Sequence, residues 1–152
     1  MLWLSSPAQL YNLTSSECIV YFDSDSYQLD KRSKEILFGK ILEIGSTNVK
    51  EILVEGHTDS FATHSYNDVL AFNRALSVYN HLVDIGVPHK FIKTESFGES
   101  RLISENHGTN RRARIYFLHE SDAKSVLNPP KYIKIKAVDA KNNKVIQADL
   151  GF

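Results

Sequence analysis

The sequence predicts an α+β fold, a mixed sheet covered on one face by two main helices, with a β-hairpin added at the C-terminal end. Short apolar, β-branched stretches recur at residues 18–22, 49–55, 91–97 and 111–118. Two longer stretches with helical periodicity follow the first and second of them. Strands alternating with helices in this way make parallel, right-handed βαβ units. The chain has 152 residues, 42% hydrophobic and 11% aromatic, enough for one domain with a real core.

Residues 18–22 (CIVYF) form a continuous apolar run and read as a buried strand. The polar turn Asp23-Ser24-Asp25-Ser26 follows, and Asp30 is placed to cap a helix carrying Ile36, Leu37, Ile41, Leu42 and Ile44. Gly45 is its stop signal. Residues 49–55 (VKEILVE) read as the second strand, ended by Gly56. The second helix is expected over residues 66–85, with Leu70, Ala75, Val78 and Leu82 facing the core and Gly86 and Pro88 ending it. Residues 91–97 are the third strand. A polar loop with two glycines spans 98–109, and a fourth strand follows at 111–118. There Ala113, Ile115 and Phe117 point one way and Arg112, Arg114 and Tyr116 the other. Asn128-Pro129-Pro130 breaks the pattern. Residues 131–139 alternate cleanly, 141–144 (KNNK) read as a turn and 145–150 as the return strand. An isolated hairpin is marginal in water, so this one is expected to pack on the main domain or on a partner. The domain reading is an N-terminal arm over 1–18, a folded domain over 19–120 and a C-terminal extension over 121–152.

Lysine plus arginine and aspartate plus glutamate both total 18, so the formal net charge is zero. That argues against a broad nucleic-acid surface, and the cluster NRRAR at 110–114 reads as a polar strand edge with ion pairs. There is one cysteine, Cys18, so no internal disulfide forms, and the reading is a small buried hydrophobe. The six histidines show no common zinc spacing, and neither metal nor cofactor is expected. No run of about 18 apolar residues is present, so no membrane span is expected. The first ten residues do not have the form of a secretory signal, which leaves a trimmed chain or one made without such a signal.

The most informative stretch is EGHTDSFATHSYNDVLAFNR, residues 55–74. Asp59 follows a strand, where it suits an ammonium group. Asn67, Leu70 and Arg74 are spaced i, i+3, i+7 and share one helix face. Arg74 presents a planar fork that matches a carboxylate. Held at the rim of one pocket, Asp59 and Arg74 suit a zwitterionic amino-acid head group. Other roles are open to each. Asp59 also fits a turn cap and Arg74 a surface ion pair. Phe22 reads as core or pocket wall, Asp23 as a turn cap, Leu70 as core, and Asn67 as a cap of the second helix.

Phe22-Asp23, Gly56-His57-Thr58-Asp59, the N-x-x-L-x-x-x-R-A run from Asn67 to Ala75, Phe97-Gly98 and Asn110-Arg111-Arg112 occur in order over about 100 positions. In this the chain resembles the OmpA-like peptidoglycan-binding domain, a βαβαββ sandwich. That family includes the peptidoglycan-associated lipoprotein and periplasmic parts of flagellar stator proteins. The phrase YFDSDSYQLD is similar to the flagellar-motor (MotY) branch. The resemblance implies non-catalytic binding of the meso-diaminopimelate of the peptidoglycan stem peptide. It implies Asp59 on the ammonium, Arg74 on the carboxylate, Asn67 and Leu70 shaping the pocket, Phe22 and Asp23 contributing partly through backbone groups, and Arg111 near or supporting the site. It also implies a periplasmic place in a Gram-negative envelope, joined to the outer membrane through a partner, with an envelope or flagellar assembly as the body anchored. Two departures bear on pocket shape: Ala62 where the family often has glycine, and Ala71 where it usually has serine or glycine. An enzyme using His57 and Asp59 as acid and base lacks a nucleophile elbow, a zinc motif or a clear carboxylate pair. A pure interaction domain that kept the fold and binds a protein partner is the second reading.

Overall fold

The computed structural model describes residues 13–45, 49–120, 132–139 and 144–151. Strand β1 (Leu13–Tyr21) leads to helix α1 (Lys31–Ile44), strand β2 (Val49–Gly56) and helix α2 (His64–Asp84). A 3-10 turn (His89–Phe91), strand β3 (Ile92–Ser96), the short helix α3 (His107–Asn110) and strand β4 (Arg112–Glu120) complete the main unit. The sheet order is β1-β4-β2-β3. β2 and β3 are parallel neighbours joined through α2, as a βαβ unit requires. β1 and β2 also run parallel, but β4 lies between them, antiparallel to both. The fold is thus the expected α+β architecture with a mixed sheet.

Alternation sorts the strands into two faces. Val20, Ile52, Val54, Ala113, Ile115 and Phe117 are buried with Leu37, Ile41 and Ile44 of α1 and Ala75, Val78 and Leu82 of α2 in one core. Cys18 packs at the edge of this core, and burial pushes its thiol up to about 11, so it is an unreactive small hydrophobe. The opposite face carries ion pairs: Arg114 to Glu17 at 2.7 Å, Lys93 to Glu51 at 2.6 Å and Arg101 to Glu55 at 3.4 Å. Arg112 and Arg114 of the NRRAR cluster therefore lie on a central strand, β4, and Arg114 is ion-paired there as the polar reading of the cluster has it.

Several boundaries move from their expected places. β1 begins at Leu13, because residues 13–17 (LTSSE), mostly polar and without an alternating apolar pattern, pair with the far half of β4 from Glu120 to Tyr116. Asp30 caps α1 as expected, accepting from Ser33 N at 2.7 Å. Helix α2 starts earlier than expected, at His64, capped by Thr63, whose Oγ1 accepts from Tyr66 N at 3.4 Å. Asn67 is therefore inside the helix and is not its cap. Gly86 takes the left-handed conformation (φ 104°) that ends α2, whereas Gly45 stays right-handed (φ −57°). Strands β5 (Tyr132–Asp139) and β6 (Lys144–Gly151) pair antiparallel as a separate two-stranded sheet, and the expected turn between them lies largely outside the described residues.

Gly56 is where the fold draws sheet and helix together. A Cβ built there would lie 1.9 Å from the Ala71 carbonyl oxygen and 3.2 Å from Ala75 N. Only glycine allows α2 to cross β2 this closely. That contact aims the loop after β2 and the first turns of α2 at one place.

Candidate functional site

An open cavity of about 700 Å³ lies between the turn after β1, the loop after β2 and the start of α2. Its lining includes Ser24, Asp25, Asp59, Phe61, Tyr66 and Leu70. Ala62, Thr63 and Asn67 complete it. Three of the sequence-predicted site residues, Asp59, Asn67 and Leu70, are therefore wall residues.

Asp59 is only 7% exposed. Its Oδ1 accepts from Phe61 N at 3.4 Å, the Asx-turn role open to it in the sequence. Its Oδ2 lies 3.4 Å from Arg111 Nη1. Arg111 also donates from Nε to the Phe22 carbonyl at 3.1 Å, while Phe22 N donates to the Arg111 carbonyl at 2.8 Å. Phe22 is thus core by its ring and a site neighbour by its backbone.

Arg74 is fully buried and lies behind the cavity, not on its wall. Its Nε donates to Ser26 O at 2.9 Å, Nη1 to His57 O at 2.9 Å and Nη2 to Asp23 O at 3.1 Å. The Phe22 ring lies 5.2 Å from its Cζ. Three of its five N–H groups are thereby committed to carbonyls among the described residues. Burial pulls its pKa down to about 10, opposed first by the Asp59 charge, so it is a cation at neutral pH. The three carbonyls show what Arg74 does locally. It ties the 23–26 turn to the end of β2, and so builds the cavity from two separate chain segments. Asp23 contributes through its backbone.

Asn67 donates to the Ala62 carbonyl at 3.2 Å and to the Glu99 carboxylate, which also pairs with His64 Nδ1 at 2.6 Å. These contacts hold the loop containing Ala62, the position that departs from the family pattern. Tyr66 donates its hydroxyl to Asp25, a residue at φ 52°. Sequence reasoning passed over Asp25, Phe61 and Tyr66. The signal available was a lone aromatic in each of two polar segments, SFATHS and the start of α2. Beneath the site, His57 is buried and stacks on Phe97 at 5.4 Å. Its Nε2 is 3.4 Å from Glu55 Oε2 without hydrogen-bond geometry, and neither ring nitrogen has a partner among the described residues. Burial, then Arg112, Arg101 and Arg114, push this imidazole down to about 4, so it is neutral at pH 7. Among the described residues no group of three or more histidine, cysteine, aspartate or glutamate side chains could hold a metal ion. No helix among them is long and apolar enough to cross a membrane.

An anion at a cavity wall, a buried cation behind it and a mixed sheet with two helices on one face are the features to set beside known proteins. Residues 21–115 match the OmpA family, and the chain belongs to that family. It is 30% identical over 103 residues to a peptidoglycan-associated lipoprotein of Buchnera aphidicola, covering 64% of this chain and 60% of that one. The chain spans between about half and two thirds of the length of such curated relatives. The crystal structure of the peptidoglycan-associated lipoprotein from Burkholderia pseudomallei superposes with a TM-score of 0.57 at 27% identity, over 65% of this chain and 88% of that one. The C-terminal domain of Helicobacter pylori MotB gives 0.59 at 25% identity, over 72% and 89%.

Proposed function

We propose that this chain binds cell-wall peptidoglycan without covalent chemistry, through the meso-diaminopimelate of the stem peptide, and so anchors an envelope assembly in the periplasm of a Gram-negative bacterium. The observation that carries this reading is the Asp59 carboxylate on the cavity wall with the Arg74 cation behind it. Asp59 takes the ammonium of the free amino-acid head. The carboxylate faces the Arg74 cation, which acts by its charge from behind the wall, with Arg111 holding Asp59 in place. Leu70 covers the methylenes, and Asn67 holds the loop that closes over them. Charge-assisted contacts contribute about 1.5–3 kcal/mol each before ordering costs. Affinity on the order of micromolar to millimolar follows, and firm anchoring then comes from many wall sites. The family membership and the names of the relatives point to a binder of the wall, not to an enzyme acting on it.

Arg74 supports a second reading. Its complete burial and three carbonyl partners are a sufficient structural reason for the residue, so an interaction domain that kept the fold and binds a protein partner accounts for it equally. Co-sedimentation with purified peptidoglycan separates the two. The wild type pellets with the wall and a folded Asp59→Asn variant stays in solution if the site binds diaminopimelate. Equal pelleting of both, or of neither, rejects it.

A further inference from the structure

Strand β3 ends the main sheet: β2 lies along one side of it, and no described strand pairs with its other edge. Above it, α2 carries an apolar stripe that the core leaves uncovered. Val69, Phe72, Leu76, Tyr79 and Val83 are spaced i, i+3, i+7, i+10 and i+14, the alternating three and four of a helix-packing seam. Val69, Phe72 and Val83 are exposed, and Leu76 and Tyr79 are half-buried. The stripe leans toward β3. Ser96 Oγ donates to the Asp68 carbonyl at 3.0 Å, and the Asp68 carboxylate lies against Gly98 just past the end of the strand. The flank of α2 bearing Asp68 is therefore the β3 flank, and Phe72 and Tyr79 follow Asp68 along it. An open strand edge beside an open helix seam is a surface made for association.

Both elements are matched to their own antiparallel image. In β3 the centre of the match is Thr94. A second β3 running antiparallel about it sets Lys93 opposite Glu95 twice and Thr94 opposite itself, all pairs that stabilise a sheet. Lys93 also pairs with Glu51 of its own chain at 2.6 Å, and its ammonium has donors for both carboxylates. On α2 the centre is Leu76, about which an antiparallel copy brings Val69 to Val83 and Phe72 to Tyr79. The two centres lie at one level. Gly56, the register partner of Ser96, sits under the turn from Ala71 to Ala75. Thr94 is two residues back along β3, about 6.6 Å. Over that distance α2, which runs antiparallel to β3, advances about four residues, to Leu76 or Ser77. The spacing agrees as well. Strands stand about 4.8 Å apart. Because α2 packs over both β2 and β3, joining two sheets edge to edge at β3 sets the two α2 axes about 10 Å apart, the distance of packed helices.

We propose that β3 and α2 form a self-complementary interface joining two copies of this chain across a two-fold axis through Thr94 and Leu76, with the sheet continuous across the axis and the two α2 helices antiparallel on one face. The inference is independent of the peptidoglycan reading. A foreign helix covers the apolar stripe equally well; the charge order of β3 is what selects a second copy.

Sedimentation velocity of the whole chain from about 5 to about 500 µM, a range that brackets a micromolar dissociation constant, tests it. The wild type moves from monomer toward dimer as concentration rises. Leu76→Glu brings two carboxylates together at the axis and abolishes association. Lys93→Glu alone and Glu95→Lys alone set like charges opposite each other twice, and each weakens association about tenfold. An equimolar mixture of those two variants regains the wild-type affinity, because in the mixed dimer both pairs are again of opposite sign. The charge variants keep the circular dichroism of the wild type, since both positions are on the exposed edge. A wild type that stays monomeric throughout overturns the interface. So does association unchanged by the single charge reversals, or a mixture that associates no better than either variant alone.

Discussion

Arg74, proposed above as a binding residue, also has a structural role. A fully buried guanidinium with three backbone acceptors is costly to remove, since the carbonyls of Asp23, Ser26 and His57 lose their donor together. Arg74→Ala is expected to cost about 3–5 kcal/mol and to speed amide exchange in residues 23–26, measured by denaturant unfolding and hydrogen exchange. Loss of wall binding in that variant alone would therefore not identify a ligand, which is why Asp59→Asn carries the binding test. His57 makes a pH prediction. Its folded pKa, about 4, lies below the ordinary 6.5. The unfolded chain takes up the proton first, so stability is full above about pH 6.5 and declines as pH falls toward about 4. His57→Gln should flatten that decline relative to wild type in urea midpoints taken across the window. Parallel curves for the two proteins would contradict it. At this scale residue spacing was legible for part of the cavity wall and not for what lies behind it. Asp59, Asn67 and Leu70 reach the cavity, but nothing in residue spacing tells that Arg74 points inward to carbonyls from two other segments.

Elements were most legible where periodicity and end signals coincide. Asp30 before an apolar helical pattern located α1, and Gly86 located the end of α2. Boundaries failed where long-range pairing or a weak cap decided them. The mostly polar residues 13–17 join β1 only because β4 offers a partner, and Thr63 starts α2 within a largely polar loop. Gly56 makes the sharpest prediction at this scale. Its missing side chain is what allows the Ala71 carbonyl to sit on the end of β2. Gly56→Ala should destabilise by about 3 kcal/mol or more, seen as a lower unfolding midpoint, and should move the Asp59 loop enough to weaken binding. A wild-type midpoint would show that α2 can retreat from the strand at little cost.

At the scale of the molecule, the core cluster runs from Val20 to Phe117 and draws on all four strands of the main sheet and both long helices. The β5–β6 pair forms its own sheet. Ending the chain after Glu120 should therefore leave a cooperatively folding protein with unchanged affinity for the stem peptide, checked by circular dichroism melting and titration. A chain that no longer folds would make the C-terminal extension part of the domain. The sheet, its two helices and the separate hairpin were all readable from alternating patterns, whereas the insertion of β4 between β1 and β2 was not, because strand order is set by packing across the whole sheet. The account stands or falls on where a small zwitterion binds. Titrating isotopically labelled protein with meso-diaminopimelate should shift the amide signals of residues 23–26, 59–62, 67, 70 and 74 in a saturable manner, with the shifts abolished in Asp59→Asn. Unmoved spectra at millimolar ligand, or shifts confined to a surface away from this cavity, would contradict it.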